Sequence, residues 1–347
     1  MSHLSYAALH PYGFTQGRAE QLPAGTLPAR VVRHDGGSLL AITSDGLRSL
    51  PPNQRLDPQP TVGDWLAIHD PPGRPDGARI DSVLPRNSLL RRATADATGV
   101  QSLAANVDVV LITCGLDRPV RPGRVHRVAA QAWDAGAEPV LVLTKAVGGG
   151  PVDLPRLEIE NPGLRVLVTS ALEQVGLAQL RAVVTGRTAA LIGESGAGKS
   201  TLANALLGRD QAATAAVREG DGKGRHTTTA RQLHLLPGQD GGAIIDTPGI
   251  RSVGLFTDAE SVDASFAEIG ELAAECRFSD CAHLGEPGCA VLDALAEGRL
   301  PQVRYDSWRR LQREVASAAL RSSPHEQRKY AKRFSRLAKE EAARKRS

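Results

Sequence analysis

The chain has few cysteines, few aromatic residues and no long apolar run. Its 347 residues include four cysteines, three of them close together late in the sequence, so a disulfide framework is not expected. No run of 18 or more apolar residues occurs, and the first residues lack the basic start and apolar stretch of a signal peptide. These absences predict a reduced, cytoplasmic setting without a membrane partner.

Charge is distributed unevenly along the chain, whose formal net charge is +4. Residues 304–347 contain 14 Lys and Arg against 5 Asp and Glu, so the body before them is mildly acidic. A basic tail of this kind indicates a polyanionic partner, with a solvated charged helix as the alternative. Because aromatic residues make up only 3% of the chain, recognition of structured RNA by backbone and shape is favoured over base stacking.

Turn residues and short apolar runs organise the first part of the chain. Residues 1–24 are polar and irregular and are expected to form a flexible arm. Within residues 25–95, Gly- and Pro-rich turns separate four β-like runs at residues 29–33, 38–43, 62–69 and 79–84. This spacing is typical of a small β-barrel. An OB-type barrel fits the length, and an SH3-like barrel stays open.

Strands alternate with helices within residues 96–255. Continuous apolar runs predict buried strands at residues 107–113, 139–143, 164–169 and 188–192. Helices are predicted at residues 125–135 and 177–184. The alternation is typical of an α/β domain with a mainly parallel sheet. Residues 256–347 are helical in pattern around a cysteine cluster, so we expect a multidomain α/β protein.

The most informative motif is a phosphate-binding loop after the last of these strands. It matches G-x-x-x-x-G-K-[ST] and consists of Gly193, Glu194, Ser195, Gly196, Ala197, Gly198, Lys199, Ser200 and Thr201. Glycines let successive backbone N–H groups point at one anion. Lys199 is placed to neutralise the β- and γ-phosphates, and the Ser200 hydroxyl to ligate Mg²⁺. The following helix would face the phosphates with its N-terminus.

Two further segments carry γ-phosphate chemistry. Asp246, Thr247, Pro248 and Gly249 follow an apolar strand, which is typical of GTPases. Asp246 can hold Mg²⁺ through a water, and the Gly249 N–H can reach the γ-phosphate. An earlier threonine segment can report which nucleotide is bound, and it contains His226, Thr227, Thr228 and Thr229.

Candidate base-recognition residues come before the phosphate loop rather than after it. They follow two of the predicted strands and comprise Thr144, Lys145, Ala146, Val147, Ser170 and Ala171. The order of base motif, phosphate loop, threonine segment and Asp-Thr-Pro-Gly is therefore a circular permutation of the usual GTPase order. The site can survive this change because strand placement, not chain order, builds the pocket.

Three cysteines and one histidine lie within fourteen residues of one another: Cys276, Cys281, His283 and Cys289. They supply a complete tetrahedral ligand set for Zn²⁺ with no open position for a substrate, so one structural zinc ion is predicted. The alternative is a group of buried cysteines with a chance histidine. The fourth cysteine, Cys114, lies in an apolar strand and is expected in the core.

The permuted order, the preceding barrel and the cysteine cluster together resemble the RsgA (YjeQ) family of GTPases. The resemblance spans nearly the whole chain. It implies a GTPase that binds the small ribosomal subunit and its rRNA, and that couples hydrolysis to late subunit maturation and its own release. It also implies GTP or GDP with Mg²⁺ at the phosphate loop and turnover that is slow alone and stimulated by the subunit. Lys199, Thr228 and Thr229 would then be catalytic, with His226 as the candidate that orients the attacking water.

Two positions depart from common GTPase patterns. The family's base motif usually ends in aspartate, whereas Val147 stands there, and Thr144 replaces the usual asparagine. Because that carboxylate normally accepts two hydrogen bonds from guanine, we expect weakened guanine selectivity. Asp153 lies too far along the chain to substitute without a rearranged loop. Ile250 occupies the place of a water-orienting Gln, which predicts slow intrinsic hydrolysis.

Two other functions stay open on sequence alone. One is a non-catalytic RNA-binding module with a degenerate nucleotide site, against which the intact Lys199, Ser200, Asp246 and Gly249 argue. The other is a P-loop ATPase or kinase of another class, against which the threonine segment and Asp-Thr-Pro-Gly argue. No coiled-coil seam is evident, so a monomer is expected.

Overall fold

The structure is a computed structural model that describes residues 3–34, 37–70, 77–93, 100–146, 152–208, 231–238, 240–246 and 259–322. The chain divides into two compact units. One consists of Met1–Arg92 and Ser102–Leu255, and the other of Ala93–Gln101 and Phe256–Ser347. In the described part of the chain, no helix is both long and apolar enough to cross a membrane.

Five antiparallel strands form the barrel-like N-terminal part, in an order that fits the OB-type prediction. They are β1 (Leu27–His34), β2 (Leu39–Thr43), β3 (Gly46–Leu50), β4 (Trp65–His69) and β5 (Arg79–Val83). Their order is β3-β2-β1-β4-β5, so β1 forms ladders with both β2 and β4. A two-stranded ribbon of β6 (Leu89–Ala93) and β7 (Val100–Ala105) follows the barrel strands in the chain.

The flexible arm expected at the N-terminus is wrong for the part that the structure describes. A 3-10 helix at His3–Tyr12 and the short helix α1 (Gln16–Ala19) fold against the barrel. Leu9 and Phe14 are buried, and the Phe14 ring lies 5.0 Å from that of Trp65, centroid to centroid. Burial of Leu9 and Phe14 in one cluster with Trp65 stabilises this segment. The segment is polar overall, so its composition did not reveal these two core residues.

A six-stranded sheet forms the α/β part of the first unit. Its strands are β8 (Val109–Gly115), β9 (Glu138–Thr144), β10 (Arg165–Val168), β11 (Thr188–Gly193), β12 (Arg231–Leu235) and β13 (Ala243–Asp246). The order is β10-β9-β8-β11-β13-β12, parallel except for the β12–β13 pair. The mainly parallel sheet predicted from the apolar runs is therefore confirmed.

Helices cover both faces of this sheet. They are α2 (Pro122–Asp134), α3 (Leu154–Glu160), α4 (Leu177–Val184) and α5 (Lys199–Leu207). Alternate residues of β8 face opposite layers of helices. Val110 and Ile112 pack in the cluster that contains α2 residues. Val109 and Leu111 pack in the cluster that contains α4 and α5 residues. The continuous apolar runs reflect this burial on both faces.

The barrel and the α/β sheet share one continuous sheet, because β1 also pairs with β12. Arg30 of β1 crosses this junction and is fully buried. Its Nη2 donates to Thr188 Oγ1 at 2.9 Å, and its Nε donates to the Gly63 carbonyl at 3.3 Å. Burial lowers the pKa of Arg30 to about 10, so the side chain stays charged at neutral pH. Arg30 thus joins the barrel to the strand that leads into the phosphate loop.

The second unit is helical where the structure describes it. Its helices are α6 (Ala259–Ser265), α7 (Ala267–Ala274), α8 (Ala290–Ala296) and α9 (Gln302–Ser322). Buried Arg304 of α9 pairs with Glu268 of α7 at 2.5 Å and lies over the Phe266 ring. The end of the basic tail, from residue 323, lies outside the described residues.

Candidate nucleotide site and metal cluster

The phosphate loop lies between β11 and α5, in the strand–loop–helix order that the motif predicts. Gly198 precedes α5 with φ of +81°, a conformation that favours glycine. Gly193 must also be glycine, because a Cβ there would overlap Thr113 Oγ1 and its carbonyl oxygen. Together these positions allow the tight turn that aims the α5 N-terminus into the loop.

Lys199 folds back across the loop. Its Nζ donates to the carbonyl oxygens of Gly193 at 2.9 Å and Glu194 at 2.7 Å. The ammonium group therefore lies beside the backbone N–H groups that a phosphate would contact. This arrangement provides a concentrated positive potential at the place where the motif predicts phosphate binding.

Thr144 connects the base motif to the phosphate loop. The side chain is buried, and its Oγ1 donates to the Ala197 carbonyl at 2.6 Å. Gly198 also packs against this hydroxyl: a Cβ at position 198 would lie only 3.3 Å from Thr144 Oγ1. The sequence suggested Thr144 as a base-recognition residue; the observed contact holds the loop in place.

We expect Thr144→Val to weaken nucleotide binding by about five- to tenfold, because the buried Ala197 carbonyl loses its donor, at a cost of about 1–1.4 kcal/mol. Titration of a fluorescent GDP analogue measures the change. Thr169→Val is the matched control. Its Oγ1 donates to the Leu143 carbonyl, which also accepts from the Thr169 backbone N–H. Equal effects of the two substitutions would contradict a specific role for Thr144.

The loops after β9 and β10 lie together. The Ala146 N–H donates to the Thr169 carbonyl at 3.2 Å, which brings the base motif beside Ser170 and Ala171. Lys145 has φ of +62°, and its Nζ bonds to Asp117 Oδ2 at 2.7 Å. This hydrogen bond lowers the pKa of the Asp117 carboxyl.

A cavity of about 440 Å³ opens beside Lys145 and Ala146, and Asp153 is one of its lining residues. Asp153 Oδ1 accepts from the Arg156 backbone N–H at 3.1 Å, which caps the first turn of α3. The structure thus gives Asp153 a helix-capping role near the base motif.

Asp246 ends β13, which runs parallel to β11 in direct register. Its carboxylate and the Ser200 hydroxyl at the start of α5 therefore stand at the same edge of the sheet as the phosphate loop. Oxygen donors of this kind suit Mg²⁺. The other predicted residues, Val147, His226, Thr228, Thr229 and Gly249, lie outside the described residues.

An arginine cluster beside the loop was missed by the sequence reasoning. Glu194 forms ion pairs with Arg118, Arg121 and Arg124, which precede or begin α2. The signal was present as three arginines at intervals of three residues, but nothing in the sequence placed them against the phosphate loop.

The four predicted metal ligands come together in the second unit. Ligand atoms of Cys276, Cys281, His283 and Cys289 all lie within 4.8 Å of one another. His283 Nδ1 is 3.3 Å from Cys289 Sγ and 3.5 Å from Cys276 Sγ. These separations match the edges of a tetrahedron with Zn–S bonds of about 2.3 Å and a Zn–N bond of about 2.0 Å. The cluster could therefore hold one zinc ion.

Neighbouring groups fix the shape of the cluster. Glu286 accepts backbone N–H bonds from Leu284 at 2.7 Å, Ala282 at 3.0 Å and Gly285 at 3.1 Å. These hydrogen bonds, of which the one from Leu284 has the largest effect, lower the pKa of Glu286 to about 2. The Tyr305 hydroxyl donates to the His283 carbonyl at 2.5 Å. Such contacts orient metal ligands before an ion binds.

Comparisons with known proteins agree with this architecture. The RsgA GTPase family model matches residues 83–256. A small ribosomal subunit biogenesis GTPase RsgA from Streptomyces coelicolor is 48% identical over 328 residues, covering 90% of this chain and 88% of the relative. The protein of the same name from Syntrophotalea carbinolica is 41% identical, covering 85% of each chain.

Two solved structures share the fold. YjeQ from Thermotoga maritima superposes with a TM-score of 0.63 at 24% identity, over 84% of this chain and 99% of that one. YloQ, described as a circularly permuted GTPase, gives 0.60 at 20% identity, over 85% of this chain and 96% of that one. The permuted order inferred from the motifs is thereby confirmed. The chain belongs to the RsgA GTPase family and is a GTP hydrolase.

Proposed function

We propose that this GTPase binds the small ribosomal subunit and couples GTP hydrolysis to late subunit maturation and to its own release. The observation that carries the proposal is the 48% identity, over 90% of the chain, to a protein named for small ribosomal subunit biogenesis. The phosphate loop supports it, since Thr144 and Lys199 hold that loop in an anion-binding form.

The nucleotide would lie across the carboxyl ends of the parallel strands. Residues 193–201 would bind the phosphates of GTP or GDP, with Lys199 on the β- and γ-phosphates. The segments 144–147 and 170–171 would surround the base. Ser200 and Asp246 would hold Mg²⁺, which neutralises charge on the phosphates when bound. Thr228, Thr229 and Gly249 would contact the γ-phosphate.

Hydrolysis needs a group that orients the attacking water. Ile250 cannot do so, because an aliphatic side chain neither donates nor accepts a hydrogen bond. We assign this role to His226, whose imidazole can accept a proton from water near neutral pH. Turnover would be slow for the chain alone and faster when the small ribosomal subunit is bound.

The remaining parts would serve binding to RNA. The barrel of residues 25–95 and the zinc-binding residues 256–347, with one structural zinc ion in the cysteine cluster, would contact RNA, and residues 96–255 would form the GTPase domain. The basic tail would contact rRNA through phosphates. A cytoplasmic monomer is the form proposed, in line with a ribosomal partner.

Turnover of GTP, with and without small ribosomal subunits, tests the proposal. We expect subunits to raise the turnover of the wild-type chain by about 100-fold or more, of the order that a positioned catalytic group contributes. His226→Ala should remove most of the stimulation, and Lys199→Ala should abolish turnover as a control. Turnover that subunits leave unchanged would refute the coupling, and full stimulation of His226→Ala would remove His226 from the mechanism.

A further inference from the structure

Three arginines converge on one carboxylate of the phosphate loop. Arg124 Nη1 pairs closely with Glu194 Oε1, Arg118 Nη1 lies 3.6 Å from Oε2, and Arg121 Nη1 lies 4.0 Å from Oε1. A single carboxylate cannot neutralise three guanidinium groups. The contact with Glu194 is shortest for Arg124 and longest for Arg121. Most of the uncompensated positive charge therefore lies on Arg118 and Arg121.

The surrounding elements add positive potential. Arg121 is the N-cap of α2, and the first turn of α2 has no acidic residue. Arginines at this end of a helix oppose the helix dipole and cost stability, so their presence needs another explanation. The charged side chains that meet here leave a net charge of +2 and comprise Arg118, Arg121, Arg124, Lys145, Asp117 and Glu194.

The cluster is both exposed and restrained. The side chain of Arg121 is 74% exposed and that of Arg118 is 43% exposed, whereas Arg124 and Glu194 are more covered. Pro119 and Pro122 limit the backbone on either side of Arg121. The backbone that carries the two exposed guanidinium groups is therefore restricted, while their side chains remain accessible to an anion.

We propose that Arg118 and Arg121 form an RNA-backbone contact surface, held beside the phosphate loop by Arg124 and Glu194. The inference rests on the proposed function, since it places one contact with the RNA of the small subunit next to the nucleotide. RNA is the partner proposed over an acidic protein segment, because exposed guanidinium groups bind phosphate with bidentate hydrogen bonds and an RNA backbone offers a phosphate at every nucleotide. The surface also lies next to the phosphate loop, because all three arginines contact its Glu194.

The test compares binding of three variants to small ribosomal subunits and to protein-free small-subunit rRNA over a range of salt concentrations. Arg118→Gln/Arg121→Gln should weaken both interactions by about five- to tenfold at 0.15 M salt. It should also reduce the slope of log affinity against log salt by about 1–2, as expected for two lost phosphate contacts. Arg118→Lys/Arg121→Lys should keep most of the slope, because the charge remains.

Arg165→Gln/Arg187→Gln is the matched control, since both residues belong to the same unit, neither lines the cavity beside Arg118, and the loss of charge is the same. Equal weakening in this control would overturn the inference, as would a parallel loss of affinity for a fluorescent GDP analogue. Weakened binding to subunits with unchanged binding to rRNA would assign the surface to an acidic ribosomal protein instead. A wild-type chain that binds no subunits would refute the proposed function, whereas equal binding of wild type and variant would refute the arginine surface alone.

Discussion

Val147→Asp will increase the preference for GTP over ATP by about 100-fold relative to the wild-type chain. An aspartate at this position can accept two charge-assisted hydrogen bonds from guanine N1–H and the exocyclic amine. Together these are worth about 3 kcal/mol of discrimination, because adenine offers no matching donors. Val147 offers no acceptor, so the wild-type chain should bind the two nucleotides with affinities within about tenfold of each other.

Two nearby carboxylates are already engaged and are poor substitutes. Asp153 caps α3 through its bond from the Arg156 N–H. Asp117 bonds to Lys145 Nζ, and that bond lowers the pKa of its carboxyl. Moving either group to the base would break these contacts. The described residues around the base motif thus support a site in which position 147 decides the selectivity.

Competition of GTP, ATP and XTP against a fluorescent GDP analogue measures the preference. Val147→Leu is the control for a change of side chain without an acceptor, and it should leave the ratio at the wild-type value. Val147→Asn should favour XTP over GTP, because the amide donates where xanthine accepts. The prediction would be contradicted if the wild-type chain strongly preferred GTP and Val147→Asp left that preference unchanged. Another group would then recognise guanine, and Asp153→Asn would be the next variant to test.

Local pattern was enough to find the elements that carry the nucleotide site. The helix predicted at residues 177–184 coincides with α4, and the strand predicted at residues 188–192 differs from β11 by one residue. These segments are mostly apolar, and Gly176 and Thr185 bound the helix while Gly193 ends the strand, so neighbouring residues decide their structure. The cysteine cluster was equally local, since all four ligands come from one short segment.

Non-local pairing was not predictable in the same way. Strand β3 was missed because only Leu47 and Leu50 are apolar in it, and its pairing with β2 fixes it instead. The β1–β12 ladder joins residues about 200 positions apart, and no local signal marks it. The contact between Thr144 and Ala197, and the arginines on Glu194, also depend on tertiary structure that composition does not encode.

Loss of a single cysteine ligand will remove zinc from the chain and destabilise its second unit. Cys281→Ser leaves three ligands of the four, and a hydroxyl is a far weaker zinc ligand than a thiolate. Structural zinc sites contribute about 10–16 kcal/mol of binding free energy in isolated zinc-finger peptides, so loss of a ligand should cost several kcal/mol here. We expect below 0.1 zinc per chain, against one in the wild type, and a fall of about 10 °C or more in the Tm of the second unit.

Cys114→Ser supplies a matched control, because it makes the same chemical change at the fourth cysteine of the chain. Cys114 lies in β8, where burial raises the pKa of its thiol to about 11 and keeps it protonated at neutral pH. This variant should retain one zinc ion by elemental analysis and the wild-type Tm for the second unit. Treatment of the wild-type chain with a strong chelator should reproduce the Cys281→Ser phenotype, because both remove the ion while Glu286 and Tyr305 remain. A Cys281→Ser chain that still holds one zinc ion and melts like the wild type would exclude Cys281 as a ligand.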